Sequence, residues 1–303
     1  MRGFIGFTKR NLLIYFKDVQ AVIFSLLTSI IVFALYLLFL KSNFIDSINN
    51  AMNGLENIID QSDVETFVNG LLLTGIMGSA MITVPYNCLS TIVKDKENKI
   101  DYDISATPMK RWAIVFSYFV ASVISAFVMT AAILTAGLVI MTFMGQIYLN
   151  FASVLILYGI IALGAVSSTA FFMVVVLFFK SSSASGAFFG MLTAASGFVI
   201  GAYIPVSQFS TSVQTVCNAF PASHITILFR KIILSDVLNK MTTDINGLDN
   251  GMFTGAIKEI FAFEATMFGK NIGTNMSALY VLLFALVSVA VMIVLYNRTY
   301  KRK

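Results

Sequence analysis

Apolar residues in this sequence fall into six long runs separated by polar segments. A helix needs about 20 mostly apolar residues to cross roughly 30 Å of hydrocarbon. Six stretches reach that length: residues 20–40, 67–92, 113–144, 153–179, 186–205 and 276–296. The pattern predicts an all-α polytopic membrane protein, with residues 1–303 forming a single transmembrane domain. The third run is long enough that we expect it to tilt or to break.

The residues before the first run have two different sides. At 100° per residue, Arg2, Lys9, Arg10 and Lys17 fall within one sector of about 100°, and apolar residues occupy the other side. This predicts an amphipathic helix over residues 1–18 that lies in the membrane interface, with its basic side towards headgroups and cytosol. The same charges also fit the simple flanking of a first span by positive residues.

The charges between the runs predict an orientation. The segment 42–66 contains five acids and no arginine, and the C-terminal tail is basic. The segment 94–112 is rich in lysine, and cytoplasmic loops collect Lys and Arg. Both chain termini and residues 94–112 are therefore predicted to lie inside, and residues 206–275 outside.

The predicted outer segment is too apolar for a plain loop. A run after Pro221 is interrupted by Arg230 and Lys231, which makes it too short and too charged to span a membrane. We expect a pair of short re-entrant helices broken at Pro221. Residues 239–251 are polar and turn-rich, and residues 253–268 fit a short surface helix.

Composition narrows the chemistry that this chain can perform. Hydrophobic residues make up 58% and charged residues 12%, against roughly 25% charged in soluble domains. The sequence has no phosphate-binding G-x-x-x-x-G-K-[ST] loop, and one histidine, His224, with two distant cysteines cannot form a standard zinc site. We therefore expect no catalytic residue, metal or cofactor in this chain. The sequence contains no stripe of Lys and Arg interleaved with aromatic residues. We therefore expect no nucleic-acid partner.

Small residues recur at helical spacing in the fifth run. Gly186 and Gly190 are four residues apart, as are Gly197 and Gly201. Such spacing lets two helix backbones approach closely in lipid. Either packing within the chain or contact with a second subunit would use it. Cys88 and Cys217 are predicted towards opposite membrane faces, so no disulfide is expected between them.

The charged segment 94–112 reads KDKENKIDYDISATPMKRW. It predicts a short amphipathic helix over residues 95–106, which stops before Pro108 because the residue preceding proline avoids the helical region. Its motif is Glu97, then Ala106-Thr107-Pro108, then Lys110-Arg111. Two further motifs follow in order: Gly201-Ala202-Tyr203-Ile204-Pro205, and Asn218-Ala219-Phe220-Pro221 with Arg230 beyond it.

With six spans and an N-terminal interfacial helix, these motifs resemble the permease subunits of type-2 ATP-binding-cassette (ABC-2) exporters, closest to the multidrug and haemolysin group. The family's Gly-Thr pair after the charged glutamate is replaced around Asn98-Lys99-Ile100. The resemblance implies two permeases of one or two kinds, with two separate ATPase subunits that hold ATP and Mg. It also implies a multi-pass location in a bacterial plasma membrane, in contact with membrane lipid.

The resemblance assigns roles to particular positions. The contacts that couple the chain to the ATPase are expected at Glu97, Asp101, Asp103, Thr107, Pro108 and Arg111. The pathway is expected between the first, second and fifth spans, with Thr83, Pro85, Tyr86 and Asn87 on the second. An outer exit gate is expected at Tyr203, Pro205, Phe209 and Phe220. Ordinary packing and interfacial anchoring of these aromatic and proline residues are equally consistent with the sequence.

The expected function is export of an amphipathic or lipid-like substrate, such as a drug, haemolysin, toxin, peptide or lipid, from the cytoplasm or inner leaflet. Two alternatives remain at this point. One is an ion-coupled transporter or channel, which the lack of charge inside the six runs disfavours. The other is a membrane partner of an ATPase that does not itself transport.

Overall fold

The computed structural model describes residues 2–52, 58–144, 148–246 and 248–299. Predictions that rest on Glu56, on the side chains of Arg2 and Arg298, or on residues 301–303 lie outside this described part. Helices dominate the regular structure. They are α1 (Arg2–Lys17), α2 (Val19–Leu35), α3 (Lys41–Met52), α4 (Gln61–Cys88), α5 (Ser90–Glu97), α6 (Ile100–Ala106), α7 (Arg111–Met144), α8 (Phe151–Val176), α9 (Ser182–Val199), α10 (Thr211–Asn218), α11 (Pro221–Ile245), α12 (Met252–Ile260) and α13 (Thr274–Thr299).

Five helical stretches among the described residues are long and apolar enough to cross a membrane. They are Val19–Met52, Gln61–Glu97, Arg111–Met144, Phe151–Val176 and Thr274–Leu295. A helical, polytopic membrane protein is thereby confirmed. The remaining predicted span, residues 186–205, corresponds to α9, an 18-residue helix rich in Gly, Ser and Ala. The long third run does not break: α7 continues for 34 residues, roughly 50 Å at 1.5 Å per residue.

Helix α4 is the centre of the bundle. Its most apolar stretch is buried along its whole length, whereas α2, α7, α8 and α13 keep part of their surface exposed. It begins where Asp60 accepts a hydrogen bond from the Ser62 N–H at 2.9 Å, an N-cap that supplies one of the amide partners missing at a helix start. Asn150 caps α8 in the same way through the Ser153 N–H at 2.8 Å. Local capping thus sets where these spans begin.

The connections between the helices gather at two ends of the bundle. Lys96 Nζ donates to the Leu177 carbonyl at 2.7 Å, which brings residues 94–99 beside the turn before α9. We call this the N-terminal end, because α1 packs there too. At the opposite end, Tyr148 donates to Asp63 at 2.7 Å. The loops predicted to share a membrane face are therefore neighbours in space.

The segment after α2 differs from the predicted loop 42–66. A π-helical turn over Tyr36–Leu40 joins α2 to α3 without interruption. Phe44, Ile48 and Met52 are buried, at spacings of four residues. This stripe packs α3 against the rest of the protein, so the segment stays helical beyond the apolar run.

The prediction of two short helices around Pro221 is half right. The helices do separate there, with α10 ending at Asn218 and Pro221 occupying the first turn of α11, where a missing N–H costs nothing. The second helix is not short, because α11 has 25 residues and continues to Ile245. Residues 239–245 were wrongly predicted as turn-rich. A buried stripe through Val237, Met241 and Ile245 holds them in the helix.

A small hairpin replaces the end of the predicted surface helix 253–268 and is the one departure from an all-α chain in the described part. Helix α12 ends at Ile260, and Ala262 has a left-handed φ of 48°. Strands β1 (Ala265–Met267) and β2 (Lys270–Ile272) then pair antiparallel, with Met267 opposite Lys270. The two residues between them, Phe268 and Gly269, have φ of 51° and 75°, as a type I′ turn requires.

Candidate functional site

A buried carboxylate joins three helices at the N-terminal end. Asp95 of α5 is 4% exposed and accepts hydrogen bonds from both terminal nitrogens of Arg10, at 2.7 and 2.8 Å. The Tyr118 hydroxyl of α7 donates to the same carboxylate. These bonds raise the pKa of Arg10 above its ordinary value, and the paired geometry is the strong bidentate form. Helix α1 is therefore held firmly to α5 and α7.

This contact corrects the expectation for the basic face of α1. Lys9 and Lys17 are exposed, as predicted. Arg10 instead turns inward and pairs with Asp95. The buried Asp95 carboxylate would be strongly destabilising without a counter-charge. Of the other predicted basic residues, Lys9 and Lys17 face outward, and the Arg2 side chain lies outside the described part.

The rest of the segment 94–97 contacts three further elements. Lys94 forms an ion pair with Asp18, the residue that caps α2. Lys96 reaches the end of α8 at Leu177. Glu97 accepts hydrogen bonds from Ser182 at the start of α9, from its N–H at 3.2 Å and from its hydroxyl. A displacement of these four residues would therefore reach α2, α8 and α9 together.

The prediction of one continuous helix over residues 95–106 is wrong, because the helix is interrupted at Lys99. This residue has φ of 60° and ψ of 14°. That is the left-handed backbone conformation, which residues other than glycine adopt at an energetic cost. The break separates α5 from α6.

Helix α6 projects from the bundle next to this break. Tyr102 is 71% exposed, and Asp103, Thr107 and Pro108 are exposed as well. Asp101 is half-buried, and that burial raises the pKa of its carboxyl. The helix stops at Thr107, whose extended backbone precedes Pro108 as predicted. Arg111, also half-exposed, begins α7.

Replacing Lys99 by glycine is expected to stabilise the protein by roughly 0.5–1 kcal/mol, because it removes the steric cost of the left-handed backbone. The measurement is the thermal unfolding midpoint of the purified chain in detergent. Lys110→Gly is the matched control. Lys110 is not among the described residues with a positive φ, so the same substitution there should be neutral or destabilising. A fall in the midpoint for Lys99→Gly would contradict this account.

A groove opens beside this end of the bundle, between α2, α4–α5 and α9. Its volume is about 490 Å³. Tyr86, Asn87, Phe24, Leu27 and Phe189 line it, with the Asp18–Lys94 pair at its edge. The wall from α9 includes Gly186 and Gly190, around which a Cβ would meet open space. These are the elements of the first, second and fifth predicted spans.

The structure separates the four predicted pathway residues of the second span. Thr83 and Pro85 are buried within the bundle, and Thr83 bonds back to the Ser79 carbonyl. Tyr86 and Asn87 line the groove. The Tyr86 hydroxyl lies 2.8 Å from Ser185 Oγ, and Asn87 Nδ2 donates to Ser25 at 2.8 Å. Pro85 sits inside α4, which continues past it to Cys88.

The four predicted gate residues do not form one cluster. Tyr203 packs edge-on against Phe198 and lies over Gly197. Phe220 packs on Phe171 of α8, with ring centroids 5.2 Å apart. Pro205 is buried and Phe209 is half-buried. Gly197 therefore serves packing within the chain, and Gly201, with φ of 70°, makes the turn after α9.

Two charged clusters away from this end were not identified as sites from the sequence. Lys240 of α11 lies 2.7 Å from Asp63 Oδ2, and Tyr148 joins the pair. Arg230, also on α11, is buried and donates to the carbonyl of Ala262 at 2.8 Å. A charged residue within an apolar stretch indicates a functional site, and the sequence shows such a residue at Arg230. Its contacts were not, because they come from segments far away in sequence.

Comparison with known families agrees with this architecture. The family model described as "ABC-2 family transporter protein" matches residues 19–296, which include every candidate span. No curated protein matches the sequence. Matching such a model over nearly the whole chain makes this protein the membrane component of an ABC transporter, whose family works with an ABC ATPase subunit. The chain therefore belongs to the ABC-2 family of transporter proteins.

Proposed function

We propose that this chain is the permease of an exporter that moves an amphipathic or lipid-like substrate out of the cytoplasm or inner leaflet, driven by a separate ATPase. The observation that supports it most is the arrangement of residues 94–97. They contact Arg10, the cap of α2, the end of α8 and the start of α9. Beside them, α6 is exposed for a partner. A push on α6 would thus be passed to several spans.

The proposal includes a six-span arrangement with both termini in the cytoplasm. It takes α9 as the fifth span. The connections that carry lysine, residues 94–110 and the turn around Lys180, then lie on the cytoplasmic face together with α1. The ATPase would dock there, on a bacterial plasma membrane.

The groove supports an amphipathic substrate. Its lining is mostly apolar and aromatic, and its charges are the mutually paired Asp18 and Lys94. A site that is apolar with few convergent polar groups binds molecules that are themselves largely apolar. Its open side is formed by exposed residues of α2 and by Gly186 and Gly190 of α9. A second permease, identical or related, would close it.

The test is reconstitution of the chain with an ABC ATPase in lipid vesicles. We expect the two to co-purify, and ATP to drive accumulation of a fluorescent amphiphile, such as a lipophilic dye, on the side away from the ATPase. Vesicles containing the permease alone should not accumulate the dye. Transport that needs an ion gradient but no ATPase would favour the ion-coupled alternative. ATPase binding without any ATP-dependent flux would favour a partner that does not transport.

A further inference from the structure

A second cavity lies at the opposite end of the bundle and shares no lining residue with the groove. Its volume is about 630 Å³, within the range of small-molecule sites. Helices α10, α11 and α12 and the hairpin surround it. Ile200, Val206, Ile227 and Phe263 supply apolar lining, and Arg230 contributes a charge.

Arg230 is buried without an acidic partner. It is 2% exposed, and it takes part in none of the ion pairs of the described residues. Its hydrogen bonds there all leave from Nη1, to the carbonyls of Phe261 and Ala262, while Nε has no partner among the described residues. A buried guanidinium with no counter-charge is costly, and a guanidinium binds carboxylates and phosphates well.

The charges at the cavity rim balance one another. Lys231 and Lys258 are exposed there, and so are Glu259 and Glu264. The two positive and two negative charges at the rim cancel. With Arg230 included, the lining of the cavity carries one net positive charge. Such a lining favours a group with a single negative charge, because a multiply charged anion would remain uncompensated and would meet both glutamates at the rim.

We propose that this cavity binds a monoanionic group, a carboxylate or a phosphodiester, carried by an amphipathic molecule. The anion lies against Arg230, and the apolar part of the molecule contacts Ile227 and Phe263. The molecule is either a lipid of the surrounding leaflet or a soluble amphiphile. This site is separate from the groove, so its existence does not depend on the export function proposed above.

Binding is tested on the purified full-length chain without an ATPase. In detergent, dodecanoate is titrated while the thermal unfolding midpoint is followed, since a ligand that binds the folded state raises it. Dodecanol, with the same tail and no charge, should raise it far less. Arg230→Gln should weaken dodecanoate binding at least about tenfold, whereas Lys231→Gln at the rim should change it by less than about twofold.

A second variant leaves Arg230 in place. Gly255 lines the cavity, and a Cβ there would meet open space, so Gly255→Phe should fill the site without disturbing the fold. Its matched control is Gly159→Phe on α8, where a Cβ also meets nothing. We expect Gly255→Phe to lose binding by at least about tenfold and the control to bind as the wild type does.

A lipid arm distinguishes the source of the anion. The chain is purified from nanodiscs of mixed phosphatidylglycerol and phosphatidylcholine, and native mass spectrometry counts the retained lipid. Selective retention of phosphatidylglycerol that both variants abolish identifies a lipid phosphodiester. Dodecanoate binding without lipid selectivity identifies a soluble carboxylate, and both outcomes support the proposal. Absence of binding by both probes, or equal binding by wild type, Arg230→Gln and Gly255→Phe, overturns it.

Discussion

Replacing Glu97 and Asp101 together with lysine is expected to cut export at least about tenfold while the partner ATPase still hydrolyses ATP. Glu97 bonds to Ser182 at the start of α9, so lysine would break the link between the segment 94–97 and the fifth predicted span. Asp101 lies half-buried beside the interruption between α5 and α6 at Lys99. Lysine there reverses the charge of α6 where a partner would meet it.

The experiment compares ATP hydrolysis with dye flux in the same reconstituted vesicles, and the amount of full-length chain in the membrane is measured to exclude failed insertion. A matched charge reversal, Asp46→Lys with Asp244→Lys, changes two exposed acids on α3 and α11, away from the N-terminal end. That control should retain both activities. Unchanged flux in the Glu97 and Asp101 variant would sink the coupling role of this segment.

Replacing Gly78 by valine is expected to destabilise the folded bundle by about 3 kcal/mol. Gly78 lies where α4 is crossed by α11 and by the turn after α9. A Cβ there would come within 2.1 Å of Thr226 Oγ1 and 2.7 Å of Ile200 Cδ1. Thr226 has little freedom to move, because its hydroxyl bonds to the Ala222 carbonyl within α11. The helices would have to separate.

Gly159→Val provides the control, because it makes the same substitution in α8 at a position where a Cβ meets nothing within 4 Å. It should change stability by no more than about 0.5 kcal/mol. The measurement is the unfolding free energy in mixed micelles as denaturing detergent increases. Equal effects of the two substitutions would show that helix propensity, and not the crossing at Gly78, controls stability here.

The predicted elements were most accurate where a local property decides the outcome. Pro108 and Pro221 each mark a helix boundary in the structure, because proline disfavours a helical conformation in the residue before it, although the packed helix α4 continues through Pro85. The errors occurred where packing overrides local pattern. Polar residues after Lys240 stay helical because α11 is packed through a buried stripe, and a lysine, with no glycine signal, makes the break at residue 99.

The sequence alone determined that this is a helical membrane protein, where five segments long and apolar enough to cross a membrane lie, and which family it resembles. Those conclusions depend on run length, charge placement and short motifs, which are properties of neighbouring residues. The tertiary structure alone decided which charges meet. Arg10 pairs with Asp95 across 85 positions, and Lys240 with Asp63 across 177. Such pairs follow from how helices pack in three dimensions, so no local pattern could have identified them.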